Sequence, residues 1–219
     1  MPKLTWDVTG THLYEMGVSE CALYVQKNGK YGEGVAWSGI SSISESPSGA
    51  EDNAIYADNI KFLNLKSTEE FGATIEAYMY PDEWKECDGR ADLATGVTLG
   101  QQKRAVFGLA YKTKVGNDAD GDDTGYKIHL IYGAQASPSE SQFSTVSDSP
   151  EPATFSWEIT TTPITVDGFK PTSQIVIDST KADATALAKF EGILYGSESE
   201  AARLPLPDEV KTLFTTTEG

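Results

Sequence analysis

A mainly β protein with a flanking α-helix is what this sequence predicts, and three observations predict it. Apolar and polar residues alternate with period 2 in several separate runs. Between the runs lie clusters of Gly, Pro, Ser, Asn and Asp, the residues of turns. Helix start and stop signals are confined to three short segments, 81–89, 183–195 and 207–214.

The clearest strand is Phe71–Tyr80. Phe71, Ala73, Ile75, Ala77 and Met79 form one core face, with Gly72, Thr74, Glu76, Tyr78 and Tyr80 opposite. Tyr78 and Tyr80 make the second face apolar enough to be covered as well. Runs at 104–113 and 125–133 flank the polar stretch Gly116–Asp123 and read as a hairpin with a long acidic tip. Further strands are expected at 19–26, 31–38, 60–66, 153–161 and 173–178. Trp37 and Trp157 lie on such runs and are expected in the core.

Segment 81–89 opens on Pro81, carries Asp82 and Glu83, and closes on Gly89, which suits one or two helical turns. Asp183 can cap a longer helix in which Leu187, Phe190 and Leu194 share a face and Gly196 closes the end. Pro207–Phe214 offers Val210, Leu213 and Phe214 on one stripe. Two stretches look under-structured. Residues 41–59 are Ser/Pro/Gly-rich and too long for an efficient turn, so they are expected to act between subunits. Ala134–Glu151, with Pro138 and Pro150, is the second.

The chain has 219 residues, 39% hydrophobic and 23% charged, which suits a single domain over 1–219 whose core needs no disulfide or metal. No apolar run is long enough to span a bilayer, and Met1–Asp7 is not followed by the apolar segment of a signal peptide. Cys21 and Cys87 are therefore expected to be reduced. The formal net charge is -16, from 17 basic and 33 acidic residues, which argues against a phosphate-binding surface.

Catalytic patterns are missing from the sequence. His12 and His129 have no partners at catalytic spacing, and neither H-E-x-x-H nor G-x-S-x-G occurs. Gly29–Gly34 lacks the P-loop spacing and is better read as a hairpin turn. Asp118, Asp120, Asp122 and Asp123 form a weak calcium candidate. An EF-hand loop starting at Asp118 would need Gly at 123 and Glu at 129, where the chain has Asp123 and His129. Neither a metal nor a cofactor is expected.

Several short pieces, in order, resemble the major tail (tail tube) proteins of long-tailed phages and prophages of Gram-positive bacteria. They are Ala36-Trp37-Ser38-Gly39, Pro47-Ser48-Gly49-Ala50-Glu51, Tyr56-Ala57-Asp58-Asn59, Ile75-Glu76-Ala77-Tyr78, Pro81-Asp82-Glu83-Trp84 through Cys87-Asp88-Gly89, Gly125–His129, Phe155-Ser156-Trp157-Glu158 and Leu204–Val210. The resemblance implies a β-sandwich, barrel-forming tail-tube fold with a flanking helix, an extended inter-subunit loop at 41–59 and a C-terminal helical segment or arm at 181–219. It further implies a structural virion protein and not an enzyme. Six copies would form a ring and rings would stack into a tube, a homo-oligomer assembled in the bacterial host cytoplasm with tape-measure and tail-tip or terminator proteins. The genome would pass through the lumen without specific binding, and no membrane would be entered. Ser44, Ser46, Pro47, Ser48, Gly49, Glu51, Tyr56, Asp58 and Asn59 are the expected inter-subunit contacts. Glu76 is the first lumen candidate, with Asp118, Asp120 and Asp122 second. The alternative reading is a β-sandwich adhesin or carbohydrate-binding module on a phage particle.

Overall fold

The structure is a computed structural model that describes residues 3–146, 148 and 152–215, without the Asp123 side chain. Fifteen strands follow in order: β1 (Leu13–Lys27), β2 (Lys30–Tyr31), β3 (Val35–Trp37), β4 (Ile40–Glu45), β5 (Ser48–Gly49), β6 (Asp52–Ala57), β7 (Ile60–Lys66), β8 (Glu69–Glu70), β9 (Gly72–Ala77), β10 (Ala91–Ala94), β11 (Val97–Leu99), β12 (Phe107–Asn117), β13 (Gly121–Ala136), β14 (Phe155–Thr161) and β15 (Gln174–Asp178). The helices are α1 (Trp84–Cys87), α2 (Ala184–Leu194) and α3 (Pro207–Thr215). The chain is mainly β, and its pairings are antiparallel.

Nine strands form one sheet in the order β2-β1-β12-β13-β14-β9-β4, with β3 also on β1 and β15 also on β13. The sheet curls because two long strands change partners along their length. β13 pairs β15 over Lys127–Ile131 and β14 over Ala134–Ala136. The change falls at Gly133, whose φ is +60° and where a Cβ would lie 2.2 Å from the Thr162 carbonyl oxygen. Only glycine fits that close approach.

Curling separates two cores. Inside the curl, Leu23, Trp37, Ile75, Trp84, Phe107, Leu109, Ile131, Trp157 and Ile159 pack together. On the other face Tyr24, Ala110, Ile128, Leu130 and Tyr132 meet Leu187, Phe190 and Leu194 of α2, Leu204 of the connection that follows, and Val210 of α3. The middle strands are thus apolar on both faces, as strands covered on both sides must be. Polar tethers supplement the burial. Tyr24 Oη donates to Leu194 O at 2.6 Å and Tyr132 Oη to Pro205 O at 2.9 Å. Lys112 Nζ reaches Glu20 and Glu191 at 2.8 and 2.9 Å and lies over the Tyr126 and Tyr195 rings.

The expected helices form. Asp183 Oδ1 accepts from Thr185 N at 3.0 Å and Ala186 N at 2.8 Å, so the cap acts as its residue type predicts. Gly196 closes α2 with φ +84°. Helix α1 is a single turn that inserts Trp84 and Cys87 into the inner core.

Other expectations need correction. The strand at 71–80 stops at Ala77, because Tyr78 N turns to donate to Gly39 O and Trp37 Nε1 takes the Met79 carbonyl. The alternation therefore breaks: Met79 is 53% exposed and Tyr78 52% exposed, while Tyr80 packs edge-on against Phe155 and Trp157. The acidic tip is short, since Asn117 already pairs with Gly121 and Asp122 belongs to β13. The hairpin β10–β11 has no counterpart among the expected strands. Residues 137–146 lack regular structure, while 147, 149–151 and 216–219 lie outside the described residues.

Candidate functional site

The most distinctive feature is an arm. Beyond the sheet edge β4 and β9 continue as a two-stranded ribbon in which β5 pairs with β8 and β6 with β7. Ser46 N donates to Gly72 O at 2.8 Å, Ser48 and Gly49 pair with Glu70 and Glu69, and Asp52–Ala57 pairs with Ile60–Lys66. The turn Asp58-Asn59 has φ values of 49° and 63°. Two consecutive left-handed residues make the primed turn that suits strand twist, and Asp and Asn tolerate it best after glycine. At Gly49 (φ +83°) a Cβ would meet the Thr68 carbonyl oxygen at 2.3 Å.

This ribbon corrects the expectation of an unstructured loop at 41–59. Residues 40–45 are sheet, and 46–57 pair with 60–72 instead of waiting for order on a neighbour. Of the expected contact residues, Ser44 lies in β4, Ser46 at the root, Ser48, Gly49, Glu51 and Tyr56 along the ribbon, and Asp58 and Asn59 at its tip. Pro47, which cannot donate a ladder bond, falls in the gap between β4 and β5.

The ribbon has unequal faces. The pairs Ile55–Leu63, Asn53–Leu65 and Ala57–Ile60 contrast with Asp52–Lys66 and Ala54–Asn64. Tyr56 is 69% exposed, Phe62 65% and Ile60 64%. An isolated two-stranded hairpin is marginal in water, and exposed apolar strands are pairing hazards unless a partner covers them.

A polar cluster holds the arm's root. Glu45, the last residue of β4, accepts at Oε1 from Tyr111 Oη and Gln174 Nε2, both at 2.5 Å, and lies 3.4 Å from His129 Nδ1. His129 is 8% exposed and stacks on Tyr111 with centroids 4.7 Å apart. Its Nε2 is 3.0 Å from Thr113 Oγ1 and 3.1 Å from Glu15 Oε1, and Lys127 pairs with Glu15. His129 thus has a structural role, clamping the arm's first strand to β12, β13, β15 and the start of β1.

The His129 ring first, and then the Tyr111 hydroxyl and Gln174 amide, hold the Glu45 carboxyl down from 4.5 to about 2, against the opposing effect of burial. A depressed carboxyl stabilises the fold above its unfolded pKa and loses that contribution as pH falls through its folded one. The wild-type urea midpoint should therefore fall between about pH 4.5 and pH 2. Glu45→Gln should start lower and decline less across that window. Parallel midpoint-versus-pH curves for the two proteins would remove Glu45 from the linkage.

Of the four candidate carboxylates at the acidic tip, Asp118, Asp120 and Asp122 are engaged by local partners, and the Asp123 side chain lies outside the described residues. Asp118 accepts from Gly10 N at 2.9 Å and meets the His12 ring at 2.9 Å, Asp120 accepts from Asn117 Nδ2, and Asp122 pairs with Lys114. Among the described residues no three His, Cys, Asp or Glu side chains gather to hold a metal. His12 hydrogen bonding pulls the Asp118 carboxyl down, and Asp118 raises His12 in turn. Burial pushes both thiols up, Cys87 to about 12, so neither Cys21 nor Cys87 is a ready nucleophile.

Glu76 has a different setting. It points away from the inner core, accepts from Ser42 Oγ at 2.9 Å, and shares its sheet face with Thr74, Ser156, Glu158 and Thr160. Those neighbours are hydroxyls and acids, without a Lys or Arg. The cluster around Glu45 and His129 could not be found from sequence, because its members are far apart in the chain and alternation marks them only as strand residues. The chain matches no protein-family model and no curated protein sequence.

Proposed function

We propose that this chain is the subunit of a hollow tube, six copies to a ring with rings stacked, which conducts a phage genome into its host. The observation that carries this reading is the arm: an ordered ribbon on which Tyr56, Ile60, Phe62 and Leu65 are more than half exposed. Its stable occupant is a neighbouring copy. A ribbon on one side of a subunit and its receiving surface on another make a head-to-tail contact, which closes laterally into a ring or propagates axially.

Charge fits the same reading. A conduit must not bind its cargo, and DNA carries one negative charge per ~1.7 Å of duplex. The face bearing Glu76 and Glu158 is hydroxyl-rich and acidic, and we assign it to the lumen wall ahead of Asp118, Asp120 and Asp122, which have local partners at the tip. Repulsion there is short-ranged, over a Debye length of ~8 Å at physiological salt. Tape-measure and tail-tip proteins would then set length and initiation.

Electron cryomicroscopy of the protein concentrated alone, beside a dilute sample, tests the reading. The expected result is rings and stacked tubes at high concentration, with Glu76 on the inner wall. A monodisperse monomer that retains a glycan column would support the carbohydrate-binding alternative instead. Tubes with Glu76 on the outer surface would overturn the lumen assignment alone.

A further inference from the structure

Strand β1 is two pieces joined by an irregular stretch. Cys21–Val25 is buried and divides its side chains between the two cores, whereas Leu13, Tyr14 and Met16 are 59%, 42% and 48% exposed. Between the pieces the register with β12 shifts twice, at Met16/Ser19 and at Ser19/Ala22. Gly17 has φ +71° and Glu20 φ +47°, so two left-handed residues sit inside one strand. Glu20, which is not glycine, holds that conformation at a cost, and Lys112 pairs with its carboxylate at 2.8 Å. Strands β3 and β2 pair with β1 only over Cys21–Leu23 and Gln26–Lys27, which leaves Leu13–Met16 as a sheet edge. Upstream, Leu4, Trp6 and Val8 are exposed as well.

Among the described residues, no side chain of 3–16 belongs to either core. Two carboxylates hold this segment on the β12–β13 hairpin instead. Asp118 at the hairpin tip accepts from Gly10 N at 2.9 Å and His12 N at 3.3 Å, and meets His12 Nδ1 at 2.9 Å. Asp7 Oδ1 lies 3.6 Å from His12 Nε2, so the imidazole stands between two acids. Further along, Glu15 accepts from Thr113 Oγ1 at 2.5 Å, pairs with Lys127 and faces His129 Nε2 at 3.1 Å. Leu13–Met16 adds a short ladder to Lys114–Asn117, and the Tyr14 ring lies over Gly116, where a Cβ would meet its Cζ at 2.5 Å.

We infer that residues 3–16 form a strap, hinged at Gly17–Glu20 and latched to the β12–β13 hairpin by Asp118 and Glu15, and that its latch at His12 loosens as pH rises. A segment that buries no core side chain opens without the rest of the fold, and the two register shifts mark where that opening stops. Hydrogen bonding to Asp118, and then the charge of Asp118, raise His12 above 6.5. The charged groups facing the ring are Asp118 from the hairpin tip and Asp7 from the strap itself. A raised histidine contributes fully below its unfolded pKa and loses that contribution as pH climbs through its folded one. Opening bares the outer ladder of Lys114–Asn117, a strand edge that a further strand can join. The strap thus covers that edge in a proton-dependent way. A single subunit suffices for this device, which is independent of the tube reading.

Amide hydrogen exchange of the full-length dilute protein, read by mass spectrometry as protection factors, tests both the hinge and the latch. Gly10, His12 and Leu13–Met16 are expected to exchange more than roughly a hundredfold faster than Ala22–Val25, with rates insensitive to low urea, as a sub-global opening should be. His12→Gln keeps a hydrogen-bonding side chain without the charge. Because His12 is half-exposed, the variant should retain wild-type near-ultraviolet dichroism. Strap protection in wild type should exceed that in His12→Gln by up to roughly fivefold at pH 5.5, the scale of one surface ion pair, and converge with it near pH 8.5. Exchange of 10–16 and 22–25 with the same rate and the same urea dependence would overturn the hinge. A ratio of wild type to variant that stays constant across that pH range would overturn the proton-dependent latch.

Discussion

Excising the arm should leave a folded subunit that no longer assembles. Replacing residues 47–70 by Asn-Gly keeps Ser46 opposite Gly72 and joins β4 to β9 through a short connection ending at Phe71, a length that hairpins accept. The deleted residues contribute little to either core, and Ile55, Tyr56, Ile60, Phe62, Leu63 and Leu65 are all at least 36% exposed. Glu45 and its partners at the root are retained. The urea midpoint should accordingly stay close to wild type, a change of ~1 kcal/mol or less, the scale of substitutions away from a core. Assembly is another matter. If two or three of those side chains are interface anchors at ~2 kcal/mol each, losing them weakens association by a factor on the order of 10³ to 10⁴. Sedimentation velocity over a concentration series should show only monomer at concentrations where the wild-type chain is expected to form rings. Normal tubes from the excised chain would end the arm's assignment. A chain that cannot fold would mean that the ribbon belongs to the intramolecular core.

Which parts of this architecture could be read from the sequence follows from how local their causes are. Helix α2 was legible because its cap, its stripe and its terminating glycine lie within one segment, and Asp183, Leu187, Phe190, Leu194 and Gly196 each do what their spacing implies. The β12–β13 hairpin was legible for the same reason. The arm was misread because Ser-Pro-Ser-Gly at 46–49 has the composition of a loop, while the residues that make it a strand, Thr68–Glu70, lie across the ribbon. The available signal was Asp58-Asn59 between Ile-Tyr-Ala and Ile-Lys-Phe, a turn pair between apolar runs. Glu45 and His129 lie 84 positions apart in sequence, on strands that are not paired with one another, and meet at 3.4 Å. Periodicity assigns faces to strands, but it does not say which distant strand closes over a face.

Trp84→Ala should produce the largest loss of stability among single truncations of the inner core. One helical turn, α1, exists to present this side chain, which is fully buried between the two halves of the curled sheet. Its ring lies 4.5 Å from Trp37, 4.9 Å from Phe107 and 5.2 Å from Trp157, centroid to centroid, so it touches aromatic residues from β3, β12 and β14 at once. Edge-on and tilted pairs of this kind add to the burial term. Truncation removes the transfer energy and leaves a cavity that three rigid rings cannot close, at ~3–5 kcal/mol. For a chain of this size that corresponds to a fall in Tm of roughly 6–20 °C. Trp84→Phe should cost much less, because it keeps a ring in the slot and removes an indole N–H that has no acceptor among the described protein groups. Urea titration of the three proteins, followed by far-ultraviolet dichroism, gives the order wild type, Trp84→Phe, Trp84→Ala. A loss below ~1 kcal/mol for the alanine variant would show that the two half-sheets can close without their central plug. Below its lowered melting temperature Trp84→Ala should still form rings, since the arm and the Glu76 face are both built from residues outside this contact. Stability and assembly would then fail separately, through Trp84 in the first case and through the arm in the second.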